Sequence, residues 1–154
     1  MPGSLHSDNY ASLVNHWLHE RAPDISLDDS GVASLMRDEQ TFFIIEVPSG
    51  GNVCHFYAPA IALSESDPES DLYAAMALNC YGRPLGGCWL AWDEEIQMLV
   101  LCYNLNLQAT DGIHFWNALD NFLLALDAAR AHLIGAKTDT RSESVNTEVL
   151  LGHV

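Results

Sequence analysis

Apolar residues recur along this chain with two different periods, and each period predicts one kind of element. Spacings of i, i+3, i+4 and i+7 predict three helices, over residues 8–21, 66–82 and 111–136. Runs rich in β-branched and aromatic residues, bounded by turn signals, predict five strands, over residues 32–37, 41–47, 53–58, 88–92 and 98–105. Pro23 ends the first helix, because the residue before a proline disfavours the helical conformation.

The order of these elements predicts the fold class. Consecutive strands between helices are typical of an α+β domain, here α-β-β-β-α-β-β-α with a twisted antiparallel sheet flanked by helices. We expect residues 1–7 to be a flexible leader, residues 8–136 to form a single domain, and residues 137–154 to form a polar, mobile C-terminal tail.

Charge changes this picture of an ordinary globular domain. The chain has 21 acidic residues against 6 Lys and Arg, a formal net charge of -15, although 49% of its residues are hydrophobic. Ionised carboxylates are rarely buried unpaired, so the charge covers the surface of a folded body. Such a surface repels nucleic acid and anionic lipid, and we expect neither nucleic acid nor membrane as a partner. It suits a basic or apolar polypeptide partner instead.

Two features of the sequence indicate the cellular compartment: the absence of a signal or membrane-spanning segment, and the pattern of cysteines. No signal segment and no apolar stretch long enough to cross a bilayer is found in the sequence, so we expect a cytoplasmic protein. The four cysteines lack CxxC spacing and lie in apolar runs, which favours buried free thiols in a reducing compartment.

Candidate chemistry is sparse. His16, His19 and Glu20 fall within one helical turn, but a solvated polar face explains them better than a metal site, because the spacing is not that of His-Glu-x-x-His. Cys54 and His55 are neighbours on a strand and therefore point to opposite faces, so they cannot pair as a thiol–imidazole dyad. We expect no catalytic, cofactor-binding or metal-binding residues.

Several short sequence segments occur in an order that resembles the order found in a known protein family. The amphipathic first helix is followed by LDDSGV (27–32), IEVP (45–48), FYAP (56–59), LYAAMALN (72–79), GCWLAWD (87–93) and NFL (121–123). With the small size and strong acidity, this order resembles the class I chaperones of bacterial type III secretion, the CesT/SycE-like (Tir chaperone) family. The resemblance implies a homodimer in the bacterial cytoplasm that binds the N-terminal segment of a secreted effector in extended form, without ATP, and keeps it competent for secretion.

Six apolar residues of the first helix and the first strands are predicted to contact the effector: Trp17, Leu18, Leu27, Leu35, Phe43 and Ile45. The alternative is that they are ordinary core, since a helix on a sheet usually buries its apolar stripe. An extended effector segment can also add a strand to an open edge of the sheet.

The second helix and the strand after it are predicted to form the dimer interface, through Leu72, Tyr73, Met76, Trp89, Leu90 and Trp92. Residues 88–92 are apolar on both faces of the strand, and in so small a protein a second subunit can cover the second face. A central strand beneath helices on both sides is the alternative.

Two other functions stay open at this point. One is an acidic interaction module, such as an inhibitor that masks a basic enzyme surface. The other, which the sequence favours less, is a small metal-binding enzyme that uses the histidine, cysteine and acidic residues.

Overall fold

The computed structural model describes the backbone of residues 7–80 and 84–151, and the side chains of residues 10–80 and 84–137. Its elements are α1 (Ser7–Arg21), β1 (Val32–Asp38), β2 (Thr41–Glu46), β3 (Val53–Ala62), α2 (Pro68–Asn79), β4 (Trp89–Asp93), β5 (Met98–Asn106) and α3 (Gly112–Leu151). A 3-10 turn, Leu107–Ala109, joins β5 to α3. The predicted order of helices and strands and the α+β class are confirmed.

The C-terminal boundary of the last helix is where the prediction was wrong. The backbone of α3 continues to Leu151, beyond residue 136, where the apolar stripe ends and where the sequence analysis placed the helix end. Helical backbone therefore extends into the segment expected to be a polar tail. The mobility of residues 137–154 stays a prediction, and residues 1–6 of the expected leader lie outside the described residues.

The five strands form one antiparallel sheet in the order β1-β2-β3-β5-β4. The first three strands form a meander, and β4 with β5 forms a hairpin. The two units join through β3 and β5, which pair along nearly their whole length, from Val53 opposite Asn106 to Ala62 opposite Met98. This order leaves β1 and β4 as the two edges of the sheet.

One face of the sheet carries the core. Phe56 of β3 packs against Phe115 and Phe122 of α3, with ring centroids 5.8 and 5.7 Å apart. Trp17 of α1 meets the same Phe115 at 5.5 Å. Alternate residues of β2 and β3 are buried, as expected for strands with helices on one face only. We call this helix-covered side the inner face, and the opposite side the outer face.

Ion pairs join the exposed side of α3 to β1 and α1. The Arg37 guanidinium of β1 donates two hydrogen bonds to Asp127 of α3, at 2.9 and 2.8 Å. Arg21 lies 3.7 Å from Asp120, one helical heptad earlier, and stacks over the ring of Trp116. Bidentate arginine–carboxylate pairs are the stronger kind of surface ion pair, so β1 is tied to α3 across the sheet.

A second arginine bridges a gap in the sheet. Pairing between β2 and β3 covers Ile44 to Glu46, so the start of β2 lies beyond the paired region. There the Arg130 guanidinium donates hydrogen bonds to the carbonyls of Pro59 and Ala60 at 2.8 and 3.1 Å, and to the buried Thr41 hydroxyl at 3.1 Å. The guanidinium thus supplies donors that a neighbouring strand would otherwise provide.

Lys137, like Arg130, reaches from α3 to the backbone of β3. Its ammonium donates to the Ala62 carbonyl at 3.0 Å and lies 3.2 Å from the buried carboxylate of Asp71. That carboxylate also accepts from the backbone N–H of Ser64 at 2.6 Å. A buried carboxylate needs such partners, and these fix the start of α2 against α3.

The turn before β1 depends on a glycine. Asp28 Oδ1 accepts from the backbone N–H groups of Ser30 and Val32, at 2.9 and 3.0 Å. Gly31 has φ of 82°, and its carbonyl accepts from the Val47 N–H at 2.8 Å. A Cβ at position 31 would collide with the Val47 carbonyl oxygen, so the turn requires glycine for two reasons.

We predict that Gly31→Ala lowers the free energy of unfolding by about 3 kcal/mol, because it combines a left-handed backbone with a steric clash. Gly50→Ala is the matched control: φ there is 76°, but nothing lies within 4 Å of the added Cβ. The control should cost about 1 kcal/mol, from the backbone alone. Urea unfolding of the two variants measures the difference, and equal losses would show that the close approach to Val47 carries no energy.

Candidate functional site

The first candidate surface is the free edge of β1. The N–H and carbonyl of Val32 bond to Asp28, not to β2, so they point away from the sheet. In an antiparallel ladder this direction repeats every second residue. The backbone groups of Ser34 and Met36 therefore also point outward. They form a row to which an extended peptide can hydrogen-bond.

Apolar side chains lie beside this edge on both faces. On the outer face Met36 and its cross-strand partner Phe42 are 62% and 37% exposed. On the inner face Leu35 pairs with Phe43, and both are buried. A strand added at β1 would extend both rows, and its alternate side chains would contact apolar surface on either side.

The edge at β4 is closed by the chain itself. The Leu90 N–H donates to Asn79 Oδ1 at 2.7 Å, and Asn79 Nδ2 donates to the Leu90 carbonyl at 2.9 Å. The side-chain amide of Asn79 thus makes the two hydrogen bonds that a neighbouring strand would make. Just before the strand, the Cys88 N–H donates to the Leu85 carbonyl at 3.0 Å. These contacts leave the centre of the β4 edge without free backbone groups.

A second apolar surface lies on α2 and β4. Five of the six residues predicted for the dimer interface are exposed there: Leu72, Tyr73, Met76, Trp89 and Trp92. The sixth, Leu90, is buried on the inner face and belongs to the core of the single chain. By strand alternation Trp89 lies on the outer face of β4 and Trp92 on the inner face. Exposed aromatic and methionine side chains are typical of a protein interface.

The six residues predicted to contact an effector share one environment in the structure. Trp17, Leu18, Leu27, Leu35, Phe43 and Ile45 are all buried in the hydrophobic core. Their burial favours the alternative that the sequence left open, ordinary core packing. Leu35 differs from the others, because it lies on the edge strand, where an added strand would pack beside it.

Sequence reasoning missed the exposed residues next to this edge. Met36 and Phe42 were assigned no role, although the run of Phe42, Phe43, Ile44 and Ile45 is apolar at consecutive positions. Consecutive apolar positions in a strand place side chains on both faces. The same signal identified residues 88–92, and it applies to β2 as well.

Every Lys and Arg side chain that the structure describes makes an intramolecular ion pair or hydrogen bond. Arg21 and Arg37 pair with carboxylates of α3, and Arg130 and Lys137 extend from α3 to the backbone of β3. Each of these contacts holds α3 to the rest of the chain. Among the residues whose side chains the structure describes, the remaining surface charge is therefore acidic.

The thiols and the histidines that the structure describes do not form a reactive group. Burial raises the pKa of Cys54 to about 12, and burial with the nearby Cys102 raises that of Cys88 to about 11. A thiol must ionise to act as a nucleophile, and these two stay protonated at neutral pH. His19 bonds to Ser26 Oγ at 2.9 Å, and His16 lies 3.8 Å from Glu20. The described residues contain no group of three or more side chains that could hold a metal ion.

We predict that Asn79→Leu lowers the free energy of unfolding by about 2 kcal/mol, because two hydrogen bonds to Leu90 are lost at a partly buried edge. Asn121→Leu, at an exposed position of α3, is the matched control and should change stability by less than about 0.5 kcal/mol. Urea unfolding of both variants tests this, and an unchanged midpoint for Asn79→Leu would mean that the amide does not close the edge.

Solved structures with a similar fold are known. A chain of the HopA1–SchA chaperone–effector complex matches with a TM-score of 0.66 and 11% identity, covering 84% of this chain and 99% of that one. A chain of the ExsC–ExsE complex matches with a TM-score of 0.68 and 18% identity, over 83% and 96%. The Yersinia pestis type III secretion chaperone SycH, in complex with a fragment of YscM2, gives a TM-score of 0.59 and 18% identity, over 78% and 98%. At these identities the likeness establishes the fold.

The sequence itself identifies the family. No curated protein matches this chain significantly. No described helix is both long and apolar enough to cross a membrane. The model of the Tir chaperone protein (CesT) family matches residues 19–130, from the end of α1 through most of the apolar stripe of α3. This match covers well over half of the chain, and the chain therefore belongs to the Tir chaperone protein (CesT) family.

Proposed function

We propose that this protein is a type III secretion chaperone that binds the N-terminal segment of a cognate effector in the bacterial cytoplasm and keeps it soluble and competent for secretion. The observation that carries this proposal is the family match over residues 19–130. The similar structures that are chaperone–effector complexes support it. The open β1 edge and the exposed apolar surfaces suggest how binding takes place.

We infer that the effector segment adds a strand at β1. Ser34 and Met36 offer outward backbone groups, and hydrogen bonds to them depend little on the sequence of the guest. Side chains of the added strand that point inward would lie beside Leu35, in line with Phe43. Those that point outward would lie beside Met36 and Phe42. Of the six effector-contact residues predicted from sequence, Leu35 and Phe43 keep that role in this proposal.

Binding of this kind needs no ATP. An edge strand with apolar flanks gains free energy directly from hydrogen bonds and buried surface. The glycine-rich segment 82–87 lacks the lysine and hydroxyl residue of a phosphate-binding loop. We therefore propose that the effector is held by equilibrium binding and released when the secretion apparatus competes for it.

We further propose a homodimer formed through α2 and β4. Tyr73 and Met76 are 69% and 67% exposed on one side of α2, and Trp89 and Trp92 are exposed on β4. Tryptophan and tyrosine are enriched at interface hot spots. Because Asn79 closes the β4 edge, the two subunits would pack through side chains and not through strand pairing.

The proposed effector site can be tested at Ser34. The N-terminal segment of the protein encoded beside this chain's gene should copurify with the wild-type protein. Ser34→Pro removes the outward N–H while leaving the hydrogen bonds of β1 to β2 in place, and should weaken binding by about tenfold or more. Ser34→Val keeps the N–H and is the matched control, with affinity near that of the wild type. Isothermal titration calorimetry measures both.

Two outcomes would count against this scheme. If no such segment binds the wild-type protein, the chaperone function is wrong. If the segment binds Ser34→Pro and Ser34→Val equally well, the effector does not pair with β1. Urea unfolding of the proline variant separates loss of binding from loss of fold.

The proposed dimer can be tested at Met76. Met76→Glu should convert the dimer to a monomer, because a buried, unpaired carboxylate at an interface costs several kcal/mol. Leu124→Glu is the matched control, since Leu124 is 66% exposed but lies on α3, away from the proposed interface. Light scattering after size-exclusion chromatography gives the mass of each variant. A wild-type monomer, or a dimeric Met76→Glu variant, would exclude this interface.

A further inference from the structure

The outer face of the sheet has an apolar centre. Side chains on this face alternate with the buried ones, and the pairing register aligns them in rows across the strands. One row is formed by Ser34, Ile44, Tyr57, Cys102 and Trp89. The adjacent rows are Met36 with Phe42, and Pro59 with Val100 and Ala91. Apart from Val100, these side chains are exposed or half-buried.

The charges next to this apolar centre are of one sign. The five strands contain a single Lys or Arg, Arg37, whose guanidinium is bound to Asp127 and Asp38. Burial raises the pKa of the Tyr57 hydroxyl, and the negative charges of Glu46, Asp93 and Glu95 raise it further. Tyr57 therefore lies in a negative potential at the middle of the face.

We propose that the outer face binds a basic segment of the effector in which Lys or Arg residues alternate with apolar residues. This inference rests on the proposed function and specifies the chemistry of the partner. An extended segment places alternate side chains on opposite sides, so its apolar residues can lie on Ile44 and Tyr57. The Lys or Arg side chains between them point away from the sheet, and their long stems let the charged ends bend back to the carboxylates at the border of the face.

We expect the basic groups to come from the partner, because every Lys and Arg side chain that the structure describes is bound elsewhere in the chain. Arg21, Arg37, Arg130 and Lys137 are committed to the contacts that hold α3. The cross-strand neighbours of Glu46 are Val32 and His55, and the His55 ring bonds to Asn104 Oδ1 at 2.6 Å. Complementary charge therefore selects the guest, and apolar surface supplies the remaining affinity.

The test uses two synthetic peptides of equal length, one alternating Val with Lys and the other alternating Val with Glu. The lysine peptide should bind the full-length protein, and the glutamate peptide should not. The double variant Glu46→Gln/Glu95→Gln should weaken lysine-peptide binding by about tenfold, since it removes two of the charges that act on Tyr57. Calorimetry at low and at high salt should show weaker binding at high salt.

The matched control has the same change in net charge at another place. Glu65→Gln/Glu69→Gln alters two exposed carboxylates on the loop before α2 and in its first turn, and should leave lysine-peptide affinity unchanged. Equal weakening by both double variants would mean that only the overall charge attracts the peptide, and would overturn the proposal. Absence of lysine-peptide binding would overturn it as well.

The effector segment separates this inference from the proposed function. If the segment binds the wild type and binds Glu46→Gln/Glu95→Gln more weakly, both hold. If it binds the two proteins equally, the outer-face proposal fails while the chaperone function stands. If it binds neither, the proposed function itself fails.

Discussion

The packing of α3 on one face of the sheet is the constraint on which the rest of the molecule depends. Phe115 and Phe122 of α3 enclose Phe56 at the centre of the sheet, and α1 completes the cluster through Trp17. Both helices lie on the same face, so the chain has no helix left to bury the other one except at the β4 edge. The interaction surfaces are thus a direct result of how the core is built.

Charge follows from the same constraint. Holding α3 in place uses the basic side chains that the structure describes, and Arg130 even replaces a strand where β2 and β3 separate. The carboxylates outside these contacts are left to the surface. With a net charge of -15, molecules repel one another, and exposed side chains such as Met36 and Phe42 can remain in water without causing aggregation.

Local patterns were sufficient to predict the elements, but not their arrangement. Periodicity located all eight helices and strands, and Pro23 and the turn at residues 49–52 marked their limits. The pairing of β3 with β5 joins residues far apart in sequence, and no local pattern encodes it. The end of α3 was missed because residues 137–151 continue the helix without an apolar stripe.

For the candidate site as well, local patterns were informative about the strands but not about which surfaces stay uncovered. Residues 88–92 are apolar on both faces, and Trp89 and Trp92 are exposed in the single chain, while their place in a dimer interface stays a prediction. In the first helix, Trp17 and Leu18 are buried in the core of the single chain, and their contact with an effector stays a prediction. Whether a stripe is covered depends on tertiary packing, and an amphipathic pattern looks the same in either case. The open edge of β1 is a property of strand order, which the sequence did not reveal.

The amide of Asn79 has a consequence for assembly. A polymer grows only from units that can react at two ends, and a unit with one reactive end terminates the chain. Because Asn79 caps the centre of the β4 edge, this sheet offers a single open side for strand pairing. Stacking of sheets edge to edge into fibres is therefore stopped at the first junction.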